Sequence, residues 1–447
     1  MKNILAIDIG SFKTAAVIAN YNETTSELSI SGLGIANSKG IKRGSIVNID
    51  NAAKSIKKAY LDAKRVAGVE INKAVINVST TYTKSIISFG IVNIPDNEIK
   101  IKEINRAIQM ALHNANIPKD YQILQAIPIS FKVDEMSDIE DPLGMSGSRL
   151  EVSVHIIAIQ KSGLDNIKKT VRQAGLEIEN LVSSVYASGL SVLKDDEKEL
   201  GVAVIDIGAT TSDLGIFINK ALRYTDTLGV GSHHITNDLS IALHTPLADA
   251  EYIKLNFEEI IKNGDDLIEI SVIGNENEKQ KASIEAITQI ISARIEETFL
   301  LLKKEIEESG LKSKIGAGVV LTGGFTNFYN AKEIAGEFFE GMPVRIGYPK
   351  EINGLFENLR KPEFSCVLGL VLYGIREGIN YEIDSNNRFI SKMLLNEIDQ
   401  PEIKPTFEEA NNNLKNEEKE ELTSIVSKQK KEAGFIQKIK TWLGNLF

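Results

Sequence analysis

Two aspartates carry the chemistry this sequence advertises. Asp8 and Asp206 each sit inside the same phrase, Ile-Asp-Ile-Gly, and the two copies are 198 residues apart. Each follows an apolar run suited to a buried strand, and each is followed by a glycine, Gly10 or Gly208, at which that strand must turn back. The turns offer Ser11, Lys13 and Thr14 in the first copy, and Thr210, Thr211, Ser212 and Asp213 in the second. Glycine lets backbone come close to a phosphate, while hydroxyls and turn amides donate hydrogen bonds to it. A carboxylate repels phosphate oxygens, so Asp8 and Asp206 are expected to hold a magnesium ion through water. One copy alone reads as a plain hairpin. Two copies predict a duplicated fold closing on one ligand.

Two further glycine-bearing stretches extend this set. Gly229 and Gly231 precede the helical pattern HITNDLSIALH, whose N-terminal amides would suit an anion. The strand AGVVLT runs into Gly323-Gly324-Phe325, where a flat ring has room against bare backbone, and a helix is expected from near Asn330. His233 and His234 lack further acid or thiol spacing and read as a solvated helix start rather than a metal site.

The elements around these residues form an α/β pattern. A helix is expected over 51–67, a strand from Lys73, and a long amphipathic helix over 283–309 with Ile287, Ile291, Ile295, Phe299, Leu302 and Ile306 in its stripe. Between 84 and 160 the pattern changes to two long strands around a helix at 101–115. A turn-rich polar stretch and the half-exposed strand EVSVHIIAI follow, with His155 a plain strand residue. This block reads as an inserted α+β subdomain.

At 447 residues the chain needs more than one core, and its 25% charged composition is that of a soluble globular protein. A net charge of −10 without a long basic stripe argues against nucleic acid as a partner. The single cysteine, Cys366, reads as a buried helix residue. The apolar run before Asp8 is too short for a signal peptide, and no run reaches the ~20 residues of a membrane span, so a cytoplasmic address is expected.

After Tyr381 the composition becomes polar, with 12 acids and 8 bases over 382–432, and a disordered linker is expected over 382–433, spanning roughly 40 Å. Residues 434–447 regain amphipathicity. Phe435, Ile436, Ile439, Trp442, Leu443, Leu446 and Phe447 fall on one helical face, with Lys438 and Lys440 on the other. Such a helix suits an anionic membrane interface, where half-burying those seven side chains is worth on the order of 5 to 10 kcal/mol gross.

Together these motifs resemble the actin-like ATPase superfamily. PLGMSGSRLEV at 142–152, GSHHITND at 231–238, AEYIK at 250–254, VVLTGGFTNF at 319–328 and the terminal amphipathic stretch look, within it, like the FtsA family of bacterial cell-division proteins. The resemblance implies a two-lobed actin-like (ribonuclease-H-like) fold. A first lobe would be built from 1–83, 161–199 and 357–381, with an insert at 84–160. A second lobe would have its core in 200–228 and 306–356 and a smaller subdomain at 229–305.

It further implies ATP with Mg in the cleft, head-to-tail filaments of the chain with itself, and anionic inner-membrane lipids under the terminal helix. The FtsZ C-terminal tail and later division proteins would be partners, at the cytoplasmic face of the membrane at the division site. By position, Asp8, Gly10, Ser11 and Lys13 match the first phosphate loop, and Asp206, Gly208, Thr211 and Asp213 the second. Gly231, Thr236 and Asp238 match the segment beyond it, and Glu251, Lys254, Gly323, Gly324 and Phe325 fall where the superfamily contacts adenosine.

Two departures stand out. Ala209 and Thr210 occupy positions usually held by glycines, and SSVYASG, with Ser184 nearest, supplies no Glu or Gln to orient water. ATP binding with slow or negligible hydrolysis is therefore expected. An actin-like scaffold of pilus assembly is the nearer alternative, and a small-metabolite kinase the more distant one.

Overall fold

The computed structural model describes residues 1–391 apart from 264, 265, 355 and 356. Its organisation starts from two sheets with the same local plan. In the first, the strand Lys2–Ile9 pairs antiparallel with Lys13–Asn22 and parallel with Lys73–Val78. Glu27–Asn37 and Asn353–Gly354 extend one side and Glu177–Ser183 the other, giving six strands. In the second, Val202–Ile207 pairs antiparallel with Ser212–Ile218 and parallel with Gly318–Thr322, within five strands. The duplication expected from the two Ile-Asp-Ile-Gly phrases is thus a duplication of strand pairing.

Near-continuous apolar runs make these central strands. Leu5, Ala6 and Ile7 have no exposed surface, nor do Val202, Ala203, Val204 and Ile205, because both faces of each sheet are covered. The helix Ile49–Ala67 lies on the strand Glu27–Asn37 so closely that a Cβ on Gly34 would sit 1.9 Å from the Ala59 carbonyl oxygen. It is capped by the Asn48 side chain at its start and by left-handed Gly68 at its end. In the second lobe the helix Ile284–Glu308 buries Ile287, Ile291, Ile295, Phe299, Leu302 and Ile306 in one core.

A third sheet holds Thr83–Asn93, Tyr121–Val133 and Arg149–Gln160, with the helix Ile101–Asn114 on one face and a separate core. Two expectations fail here. The stretch expected to be polar and turn-rich contains a short strand, Met136–Ile139, paired with Tyr121–Val133. His155 lies in no half-exposed position: it is fully buried, its Nδ1 lies 3.1 Å from the Leu222 carbonyl and its Nε2 2.7 Å from Ser85 Oγ. Burial pushes its pKa down to about 4.

The linker expected from residue 382 also needs correction. Tyr381–Ile383 and Phe389–Ser391 are strands of the third sheet, and Glu382 and Ile383 are fully buried. The polar composition that suggested disorder builds a hairpin turn instead. Asp384 accepts from the backbone N–H groups of Asn386 and Arg388 and from the Arg388 guanidinium, and Asn387 takes the left-handed conformation. The rest of the linker, 392–433, and the amphipathic stretch 434–447 lie outside the described residues. No helix among the described residues is long and apolar enough to cross a membrane.

Candidate functional site

Both Asp-Ile-Gly turns are closed in the same way. The Gly10 N–H donates to the Lys13 carbonyl at 3.1 Å and the Gly208 N–H to the Thr211 carbonyl at 2.9 Å. The turns face one another across a cavity of about 320 Å³, lined on one side by Asp8, Gly10, Ser11 and Lys13 and on the other by Asp206, Gly208, Ala209, Thr211 and Asp213. Thr210 does not line the cavity; its hydroxyl donates to Ser11 Oγ at 2.6 Å and so ties one turn to the other. Gly231 also lies behind the lining. A Cβ there would meet the Gly208 carbonyl oxygen at 2.6 Å, which lets the Ser232 and His233 N–H groups bond the carbonyls of Gly208 and Ala209.

Three carboxylates share the cavity floor. Burial pushes Asp8 up to about 7, helped by the charge of Asp206 and opposed by Lys13 and Cys366. Burial likewise raises Asp213 to about 7 against hydrogen bonds from Thr227, at 2.7 Å, and Ser79, at 2.7 Å. Asp206 is raised by burial and partly restrained by Ser188, whose hydroxyl donates to Oδ2 at 2.6 Å. Lys13 is the cation among them, held by Glu363 at 2.6 Å with its ammonium 3.7 Å from the centre of the Phe364 ring. Gly323, at φ +86°, is what admits Asp206, since a Cβ there would lie 2.3 Å from Asp206 Oδ1.

The opposite end is apolar with one charged pair. Phe325, Phe328 and Phe257 stack in series, with centroids 5.8 and 5.7 Å apart, and Leu255, Tyr329 and Gly324 complete the wall. Beside it the Lys254 ammonium donates to Glu251 at 2.8 Å and to the Thr236 hydroxyl at 3.1 Å, while Thr236 donates to Glu251 at 2.5 Å. Burial alone would raise the Glu251 carboxyl, but Lys254 and Thr236 outweigh it and hold it low. Asp238 lines none of this; it is paired with Arg294.

Several lining residues gave no sign in the sequence. Asn77 accepts the Ile9 N–H at 2.6 Å and donates to Ser184 at 3.1 Å, fixing the backbone next to Asp8. Ser79 and Glu363 reach the site from 134 and 350 residues away from their partners. His233, expected at a solvated helix start, lines the cavity, as does the buried Cys366.

The carboxylate oxygens of Asp8, Asp206 and Asp213 are the donor type that suits a hard divalent cation. Among the described residues no group of three or more His, Cys, Asp or Glu is close enough to ligate a metal directly.

Residues 203–369 match the family model described as cell division protein FtsA, and residues 80–158 match the SHS2 domain inserted in FtsA. The cell division protein FtsA of Helicobacter pylori (strain ATCC 700392 / 26695) is 37% identical over 416 residues, covering 86% of this chain and 84% of that protein. That of Pseudomonas aeruginosa is 35% identical over 379 residues, covering 84% and 90%. Among solved structures, one from the PilM-PilN type IV pilus biogenesis complex superposes with a TM-score of 0.60 at 18% identity, covering 83% of this chain and 98% of that one.

Proposed function

Since the chain belongs to the FtsA family of cell division proteins, with an actin-like fold, we propose that its cleft binds ATP with Mg and that it forms head-to-tail filaments on the cytoplasmic face of the cell membrane, where it holds the division ring. The observation that carries the nucleotide reading is the pairing of two like strand-turn-strand units across one cavity. Carboxylates and turn amides lie at one end and an aromatic wall with the Glu251–Lys254 pair at the other. That polarity matches a triphosphate joined to a flat base. Gly10, Ser11, Lys13, Gly208 and Thr211 serve the phosphates, and Thr210 holds the second turn to the first through Ser11. Gly231 supports the second turn, and Glu251, Lys254, Gly323, Gly324 and Phe325 serve the nucleoside. Magnesium, when bound, neutralises the phosphates and the crowded carboxylates of Asp8, Asp206 and Asp213.

Hydrolysis is slow. Of the serines in SSVYASG, Ser184 lines the cavity and Ser188 is bonded to Asp206, and the stretch supplies no Glu or Gln to orient water. A turnover above ~1 per second would contradict this. The stretch 434–447 anchors the protein through Trp442 and its apolar neighbours, with Lys438 and Lys440 toward anionic headgroups. The partners are the FtsZ C-terminal tail and other division proteins. The likeness to the pilus structure is one of fold and favours no second reading.

The test is deletion of 434–447 in cells, with isothermal titration of ATP and Mg into the purified chain. Release from the membrane with impaired septation, and saturable 1:1 nucleotide binding, are expected. Unchanged localisation or absent binding refutes the corresponding half.

A further inference from the structure

The helices Ile49–Ala67 and Lys161–Gln173 pack against each other on the first lobe, and Gln173 at the end of one donates to Asp50 at the start of the other, at 2.5 Å. Together they carry nine bases, Lys54, Lys57, Lys58, Lys64, Arg65, Lys161, Lys168, Lys169 and Arg172, against three acids, Asp50, Asp62 and Asp165. The whole chain, by contrast, has a net charge of −10. Seven of those bases, all but Lys64 and Arg65, form no ion pair with any described residue. Leu61, at 47% exposure, and Val66, at 52%, stand uncovered among the bases of the first helix.

We infer that this two-helix face is a second, electrostatic contact with an anionic lipid surface, orienting the body against the membrane. The inference rests on the proposed membrane anchoring by 434–447 and adds to it a role for the folded body. Two observations select lipid headgroups as the occupant. First, the position of the chain's exit fits. The hairpin turn at 384–388 is bonded to the strand that follows the Lys161–Gln173 helix: Asn386 donates to the Glu179 carbonyl at 2.7 Å, and the Leu181 N–H to Ser385 Oγ at 2.9 Å. The described residues end at Ser391, on the outer strand of this hairpin, three residues past Arg388 at the end of the turn that is bonded to the strand following the basic helix. A tether starting there keeps this face at high effective concentration near any surface the anchor reaches. Second, unpaired cations with exposed aliphatic side chains between them match headgroups above acyl chains. A reader of single-stranded nucleic acid would instead place aromatic side chains among its bases.

An excess of positive charge acts only within a Debye length, about 8 Å at physiological salt, so the contact is salt-sensitive in a way that the apolar tail is not.

The experiment is co-sedimentation of the full-length chain with vesicles of pure phosphatidylcholine, or with about one third phosphatidylglycerol, over a salt series, while following Trp442 emission. Lys54→Gln, Lys57→Gln, Lys58→Gln, Lys169→Gln and Arg172→Gln, combined, remove five exposed charges without touching the core. A control set with the same charge change, Lys262→Gln, Lys281→Gln, Lys304→Gln, Lys312→Gln and Lys332→Gln, is taken from exposed positions on the second lobe. The expected result is a fall of about tenfold or more in affinity for anionic vesicles and a shallower salt dependence for the first set only. The blue shift of Trp442 should be retained at saturating lipid.

Equal affinity for wild type and both sets, with the blue shift present, overturns the face and leaves the anchor standing. Wild type that neither pellets nor shifts overturns both. Tighter binding by the first set overturns the inference in favour of the chain's own acidic stretch, six glutamates between 408 and 421, as the occupant.

Discussion

The Thr210 hydroxyl donates to Ser11 Oγ at 2.6 Å, joining the second Asp-Ile-Gly turn to the first across the cleft. The Thr210 side chain thus bonds the two lobes together and stands over the backbone of its turn. Replacing Ala209 and Thr210 together by glycine should loosen that link by about 1 kcal/mol and free the turn amides. The expected outcome is lower resistance to urea in the absence of nucleotide and a higher steady-state ATP turnover. A turnover unchanged from wild type would show that these side chains do not limit the loop.

Gly323 presses against Asp206. Alanine at this position would bring a methyl group to 2.3 Å from the carboxylate while the backbone stays at φ +86°. Gly323→Ala should cost about 2 to 4 kcal/mol in urea unfolding and abolish measurable ATP binding, whereas Gly324→Ala, with open space around its Cβ position, should cost under about 1 kcal/mol.

The three crowded carboxylates predict opposite effects on stability and binding. Asp206→Asn keeps the hydrogen bond from Ser188 and removes one repelling charge. It should raise the melting temperature of the nucleotide-free protein while weakening Mg-dependent ATP affinity at least tenfold, a trade expected of a strained binding site. Differential scanning fluorimetry with and without nucleotide reads both effects.

Glu382 offers a pH test away from the cleft. Its Oε1 accepts from Gln125 and from the Tyr373 hydroxyl, both at 2.8 Å, while Oε2 has no hydrogen-bond partner, and burial pushes its pKa up to about 8 from 4.5. Gln125 in turn accepts the Ser183 N–H at 2.8 Å, so the network joins the inserted sheet to the first lobe. The native state holds this proton in a range where the unfolded chain has lost it. The group's contribution is thus full below pH ~4.5 and is lost as pH rises through about 8. Glu382→Gln should flatten the decline in unfolding free energy between pH ~4.5 and about 8, measured by urea titration. A parallel decline in both proteins would contradict the assignment.

The parts legible in the sequence are those encoded locally. Asp8 with Gly10 and Asp206 with Gly208 make their turns through bonds three residues long, and the apolar runs before them demand buried strands. The long helix of the second lobe is legible because its 3.6-residue period runs without interruption over 25 residues. Asn77, Ser79, Ser188 and Glu363 were not visible, because an isolated polar residue acquires its role only when the fold carries it to a distant partner. The hairpin at 381–391 was hidden for a related reason. Its turn is polar because Asp384 and Arg388 bond one another and the backbone, a composition also shared by solvated chain.

The most direct test of the central claim is electron microscopy of the full-length chain on anionic lipid monolayers, with ATP and Mg, without nucleotide, and with the Asp206→Asn variant. Filaments are predicted with ATP on wild type and should be lost or sparse in the other two conditions. Bare monolayers throughout, or identical filaments in all three, would contradict a nucleotide-gated polymer on the membrane.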